Sequence, residues 1–307
     1  MKHREFHFDI VGKRKIWYII ALAVIIPGLL ICIFSGLNLG IDFTGGNILE
    51  VSYQSDVNLA DVRDTVGKFV DQTPAVNQGE GSQFLIKTEE MEENESQALR
   101  DALSQLGQDM TVLRSGRIGP VIGSELLSNA RWALLLAAIL MLAYITFRFR
   151  FHNAITAIVA LLHDVMIIIS IFAIFRIEVD SAFIAIILTI LGYSINNTIV
   201  IFDRIRENDK YGGQKNFPEL VNLSINQTLN RTINTSIAVL ILLLCMLFLG
   251  GVTTRTFIFG LTIGIVAGFY SSVFLVGPIL VELHNHSKSA AKKKPVPVKN
   301  KVAKNSK

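Results

Sequence analysis

The apolar residues of this chain are gathered into blocks, and that arrangement decides what it can fold into. The first block covers 16–34, interrupted by Pro27, Gly28 and a few small residues. Five more follow at about 130–147, 153–175, 181–202, 232–250 and 257–281. A helix needs about 20 mostly apolar residues to cross the hydrocarbon core of a bilayer, and each block is near that length. A soluble chain would lay its apolar residues out as stripes. Here 51% of 307 residues are hydrophobic, and they come in runs. Backbone groups inside lipid must be bonded within the protein, so the blocks are helices. Barrel strands would be shorter and alternating. The first block is too long for a cleaved leader and lacks its small-residue cleavage site, so it is expected to remain as an anchor. The expected organisation is an N-terminal segment (1–15), a transmembrane helix (16–35), a loop domain (36–128), five further helices (129–283) and a basic tail (284–307).

The basic residues give the orientation. Lys2, Arg4, Lys13, Arg14 and Lys15 precede the first span. Arg148 and Arg150 lie between spans two and three, and Arg204, Arg206, Lys210 and Lys215 between spans four and five. Lys288, Lys292, Lys293 and Lys294 begin the tail, while the opposite short loops hold Arg176 and Arg255. Short loops rich in Lys and Arg stay in the cytoplasm, so both termini are expected there and the loop domain outside. The net charge of +4 is then a topology signal and not a sign of nucleic-acid binding. The Lys-rich tail, with Pro295 and Pro297, is expected to be disordered and to touch anionic lipid; a ribosome or partner contact is the minority alternative. Cys32 and Cys245 fall inside apolar spans and read as packing residues.

The loop domain reads as small and α+β. A strand is expected at 47–54 and a helix at 58–70, with Asn58 as its cap and Leu59, Val62, Val66 and Val70 on one face. A second strand covers 83–87, and a second helix covers 95–106, closed by Gly107. A third strand begins at 111–113 and extends towards Ile118. Helices on one face of such a sheet suit a ferredoxin-like arrangement. Nothing in it is catalytic, since it holds no histidine, no cysteine and no serine set beside a base. The run Glu89, Glu90, Glu92, Glu93, Glu95 reads as a solvated, mobile loop.

Two short segments flank this domain. Residues 39–46 read LGIDFTGG, and residues 117–126 read RIGPVIGSEL. Gly45 and Gly46 permit backbone angles closed to other residues, and Asp42 can cap a local turn. Gly119 and Pro120 break the strand, and Ser124 can cap the helix that follows. On physical grounds these are hinges and turns. The first segment also resembles the LGIDFTGG signature of the SecD/SecF family of protein-export membrane proteins, and the second resembles that family's GPxxGxEL. The resemblance covers the whole chain, and the modest loop domain suits the SecF side, because SecD carries a much larger one.

Polar residues inside lipid are functional candidates. His163 and Asp164 sit side by side in span three, roughly 15 Å deep if the helix starts near Asn153. Either could exchange protons; a structural hydrogen bond between helices is the equal alternative. Span four carries Gly192, Tyr193, Ser194, Asn196, Asn197 and Thr198, where Gly192 would allow close helix approach and the others would bond across helices. Thr189, Asn196 and Asp203 share one face. Beyond them, Asp203 with Arg206, or Arg204 with Glu207, can pair at helical spacing. Arg231 stands at the lip of span five, where it can snorkel to the interface. Residues 192–207 resemble the family's GYSxNDTIVxFDRIRE, and 227–236 its QTLxRTxxTS, with one departure: the family's usual aspartate is Asn197 here. The resemblance implies that this position works with Arg231 in ion-coupled motion, and His163, Asp164, Asn197 and Arg231 together read as a polar seam. Asn197 cannot take up a proton, though it still offers an amide to Arg231. Proton traffic then rests on the SecD partner's own aspartate, which is preferred, or the coupling ion is Na⁺.

The resemblance implies an auxiliary, non-enzymatic subunit of the bacterial Sec translocase in the cell membrane. It implies SecD and the SecYEG channel as partners, with YajC and YidC as further candidates, and an unfolded preprotein as cargo. It requires no cofactor beyond a transmembrane H⁺ or Na⁺ gradient. A half-size exporter of small hydrophobic molecules is the alternative on the same six-span plan. An intramembrane enzyme is disfavoured, because the chain carries no HExxH and no Gly-x-Gly-Asp motif.

Overall fold

The computed structural model describes residues 7–70, 75–79, 81–107, 109–149, 151–211 and 216–292. Lys2, Arg4, Arg150, Lys215, Lys293, Lys294, Pro295 and Pro297 lie outside them. Helix α1 (Arg14–Ser35) is followed by a single turn, α2 (Ile41–Thr44). The loop domain comprises β1 (Gly46–Ser52), α3 (Leu59–Val66), β2 (Ala75–Gln78), β3 (Gln83–Thr88), α4 (Glu93–Ser104) and β4 (Thr111–Ile118). Then come α5 (Pro120–Arg148), α6 (Phe151–Ile174), α7 (Ser181–Tyr211) and α8 (Phe217–Leu249). A last rod is built from α9 (Val252–Tyr270), a π-helical turn (Ser271–Leu275) and α10 (Val276–Lys292). The described residues contain six helices long and apolar enough to span a bilayer, so the chain is a multi-pass membrane protein.

The sheet order is β2-β3-β1-β4 with antiparallel neighbours throughout. With α3 and α4 as crossovers this is the split βαβ of ferredoxin-like domains. Strand β2 was not expected: it is four residues long and buries one, Val76, too little alternation to read as a strand. The core joins Leu49, Val51, Phe84 and Ile86 to Val62, Val66, Leu99 and Leu103. Each helix offers an i, i+4 pair to one sheet face, as an amphipathic helix must. The Tyr53 hydroxyl donates to the Leu103 carbonyl at 2.9 Å, and burial pushes its pKa up to about 12.

Several local expectations need correction. Asn58 does cap α3, accepting from the Ala60 amide at 3.0 Å. Gly107 does not close α4, which ends at Ser104 with Gln105 as its C-cap. A side chain on Gly107 would instead strike Ser55 Oγ at 2.6 Å. The glutamate run is solvent-exposed as expected, but only Glu89, Glu90 and Glu92 lie in a loop: Glu93 and Glu95 begin α4, Glu92 and Glu95 form its capping box, and Glu90 pairs with Arg117. Ser124 does not cap α5. That helix starts earlier, with Gly119 as N-cap and Pro120 in its first turn, where proline is pre-shaped for the role. Ser124 bonds back to the Val121 carbonyl within the helix.

Between membrane helices the hydrophobic effect is weak, and close packing of small residues replaces it. A Cβ on Gly28 of α1 would lie 2.1 Å from Ser170 of α6, and Cβ atoms on Gly260 and Gly264 of α9 would meet Ile186 and Ile190 of α7 at 2.5 and 2.3 Å. At the opposite end from the loop domain, the segment before α1 is held to α8 by asparagine side chains. Asn226 accepts from the Phe8 amide and Asn222 from the Ile10 amide, each at 2.9 Å.

Candidate functional site

The first of two places of interest lies under the loop domain. Gly36, at φ 65°, ends α1. Arg176 then donates to the Ser35 and Gly36 carbonyls at 3.1 and 2.9 Å, satisfying acceptors that a helix end leaves open. The Gly40 amide bonds to the Val179 carbonyl and the Val179 amide to the Asn38 carbonyl, both at 2.8 Å. The segment after α1 is thus zipped to the loop before α7. Asp42 accepts from the Ser181 amide at 2.9 Å and from its hydroxyl at 2.5 Å. This sets an anion on the positive end of α7. Asp42 therefore caps a helix 139 residues away and not the local turn expected from sequence.

Gly45 and Gly46 have φ of 82° and 151°, and a Cβ on Gly46 would lie 2.3 Å from the Thr88 carbonyl. A Cβ on Gly123 would sit 2.8 Å from the Phe43 carbonyl, so the two flanking motifs pack against each other. Gly119 has open space around it. Lys87 of β3 reaches Glu178 at 2.8 Å, with the side chains 14% and 17% exposed. Burial raises the Asp180 carboxyl above the ordinary range; Lys87 partly offsets this and Asp42 adds to it.

The second place lies in the middle of the membrane helices. His163 and Asp164 are roughly 15–20 Å from either end of α6 at about 1.5 Å per residue. Asp164 has no exposed surface and His163 retains 5%. His163 Nδ1 is 3.0 Å from Asp164 Oδ1. The other carboxylate oxygen accepts from Ser194 Oγ of α7 at 2.5 Å and from Ser271 Oγ at 3.0 Å. The Tyr270 ring stacks on the imidazole with centroids 5.8 Å apart. Three helical elements thus converge on one buried carboxyl group, which a buried polar group requires. Ser271 and Ser272 belong to the π-turn, where the Val276 amide bonds five residues back to Ser271. Ser272 meets Thr198 at 3.3 Å. The widened turn lets adjacent serines serve different helices, and such turns recur at functional sites. Sequence reasoning missed both serines, although a polar pair within an apolar span was the available signal.

The other expected residues divide between the inside and the outside of the bundle. Asn197 is 5% exposed, and its Nδ2 has no partner among the described residues. Tyr193 donates to Ser236 of α8 at 3.1 Å. Arg231 and Asn196 are exposed, and Arg231 makes no bond to Asn197. The seam drawn from sequence is therefore interrupted: its His163–Asp164 end is enclosed and its Arg231 end faces outward. Gly192 does not mediate helix approach within this chain, since nothing lies within 4 Å of a Cβ built there. Both expected ion pairs form, Asp203 with Arg206 at 3.1 Å and Arg204 with Glu207 at 2.7 Å. Arg204 also bonds Gln227 of α8 at 2.7 Å.

Comparison with known proteins agrees with these motifs. Residues 98–286 match the family model for the C-terminal part of the protein-export membrane proteins SecD/SecF, and residues 31–57 match the SecD/SecF GG motif. The protein translocase subunit SecF of Sebaldella termitidis is 40% identical, with 93% of this chain and 94% of that one aligned. The SecF of Thermobaculum terrenum is 38% identical, over 90% and 94%. Crystal structures of SecDF are also similar. One from Thermus, described as a translocon-associated membrane protein, gives a TM-score of 0.83 at 34% identity over 93% of this chain. A super-membrane-facing form gives 0.74 at 33% over 96%. This chain spans only 40% and 41% of those two longer chains. On its motifs, its fold and these relatives, the chain belongs to the SecF group of the SecD/SecF family.

Proposed function

We propose that the chain is a protein translocase subunit that pairs with SecD at the SecYEG channel and uses a transmembrane ion gradient to promote export of unfolded preproteins. One observation carries the pairing. Thr189 and Asn196 of α7 and Arg231 and Asn234 of α8 are all exposed on the membrane helices. The Tyr193–Ser236 and Arg204–Gln227 bonds place these stretches of the two helices side by side. Polar side chains left against lipid are costly, whereas a second helical bundle covering them offers partners. This chain spans only 40% and 41% of the SecDF chains, and SecD is the partner that would supply such a bundle. The basic loops put both termini in the cytoplasm of a bacterial cell, with the loop domain outside, tied to α7 and α5 so that it moves with them. The enclosed carboxylate and the outward arginine serve ion coupling, with Asn197 as a hydrogen-bonding element. YajC and YidC remain further candidate partners.

The test is depletion in cells that depend on this chain, followed by pulse-chase of secretory precursors. Slowed maturation is expected, with restoration by the intact chain and with SecD co-purifying. Normal export kinetics after depletion would sink the proposal, and co-purification with a different half-transporter would favour an exporter.

A further inference from the structure

We infer that His163 is the proton acceptor within this chain's membrane helices, that Asp164 is its counter-anion, and that the ion taken up at this pair is H⁺. This rests on the ion-coupled reading above and adds the ion and the receiving atom.

With Asp164 ionised, the His163 nitrogen 3.0 Å from its carboxylate carries the hydrogen. The ring's other nitrogen then keeps a lone pair. That atom, Nε2, is buried and has no partner among the described residues. A buried polar atom without a partner needs an explanation, and an unfilled functional role is one. The groups bonded to or stacked on the pair are Ser194 from α7, Ser271 from the π-turn and Tyr270 from α9. None of them is a cation, and the Tyr270 hydroxyl is committed to the Trp17 carbonyl at 2.6 Å. His163 is therefore the one neighbour of Asp164 able to supply positive charge. A hydronium ion reaching Nε2 gives its proton to the lone pair and leaves as water, which then accepts from the new N–H. No other bond breaks. The pair passes from a net charge of −1 to zero, which a low-dielectric interior favours over a lone anion. Release is the reverse step.

The test is ¹⁵N NMR of histidine-labelled full-length chain, paired with SecD, in lipid nanodiscs. The chain has six histidines, and the resonance lost in His163→Gln identifies the site. If that variant does not assemble, Tyr270→Leu identifies it by moving the one resonance whose ring stack is removed. Lowering the pH from ~8 to ~5, the interval in which histidine charge changes, is expected to convert His163 from the Nδ1–H form to imidazolium. Na⁺ should leave the signal unmoved, and Asp164→Asn should abolish the conversion over that interval. A His163 signal fixed in one form throughout, or one that answers to Na⁺, overturns the inference. Export from proteoliposomes is read separately. Export that ignores an imposed ion gradient overturns the coupled reading itself, whatever the NMR shows. Gradient-dependent export with a silent His163 overturns this inference alone.

Discussion

The Asp42 carboxylate accepts both the amide and the hydroxyl hydrogen of Ser181, so the glycine-rich segment after α1 caps a helix three spans further on. Losing a helix cap costs about 1 kcal/mol. Asp42→Ala should therefore speed hydrogen exchange at the Ser181 amide roughly fivefold, the factor that energy corresponds to. Asp42→Asn, which keeps an acceptor, should change it little. Unaltered exchange in Asp42→Ala would show that the cap contributes nothing.

The glycines of the membrane helices should separate into two classes. Gly264→Ala forces a methyl group to within 2.3 Å of Ile190 Cγ1, and overpacking of that kind costs about 1–3 kcal/mol. Gly192 has nothing within 4 Å, so Gly192→Ala should leave the isolated chain as stable as before, or up to about 1 kcal/mol more so. If SecD covers that face, the same substitution should weaken co-purification. Thermal unfolding of the chain alone, with pull-down of SecD, separates the two effects.

Lys87 and Glu178 should behave as a coupled pair. Either charge reversal is expected to loosen the loop domain, and exchanging the two residues should restore it, with a coupling of about 1 kcal/mol for a pair this enclosed. Protease sensitivity of the 36–46 segment across the double-mutant cycle reads the coupling. Additive effects would show that the two charges do not cooperate.

Asp180 should make the junction sensitive to pH. Its carboxyl is raised by burial, so folding favours the protonated form. The stability this brings is complete at low pH and is lost as pH rises through the folded value. Asp180→Asn stays neutral and can still accept from the Phe183 amide, now 3.2 Å away. It should melt above the parent near neutral pH and level with it in acid. A constant difference at every pH would rule out titration of Asp180 as the cause.

What the sequence made legible follows from how far each signal reaches. The six spans were plain because apolar length is a property of neighbouring residues. The caps were read less well. Asn58 serves its own helix, whereas Asp42 serves one far along the chain, and no local pattern announces that. Gly192 was assigned to close packing because glycine in a span often has that role. The residues that do pack closely, Gly28, Gly260 and Gly264, could be recognised only once their neighbours were known. The same holds for the buried cluster. His163 and Asp164 were visible as polar residues in an apolar run, but Ser194 and Ser271 join them through the crossing of helices and a π-turn. Asn197 and Arg231, partners in the family pattern, sit in different environments because Asn197 lies on the buried side of α7 and Arg231 on the exposed side of α8.

The ties beneath the loop domain also limit how it can move. It is fixed where Phe43 meets Gly123 on α5, where the 38–42 segment meets Val179 and Ser181 at the start of α7, and where Lys87 meets Glu178. A body pinned at one point can swivel freely, and one pinned at two can rock about the line between them. Pinned at three, it follows its supports until one pin lets go. Of these three ties, Lys87–Glu178 is the one made between two side-chain charges, and it yields most readily to salt. Once it opens, the remaining two define an axle close to the membrane surface. The loop domain then has a single hinge direction, set by the positions of α5 and α7.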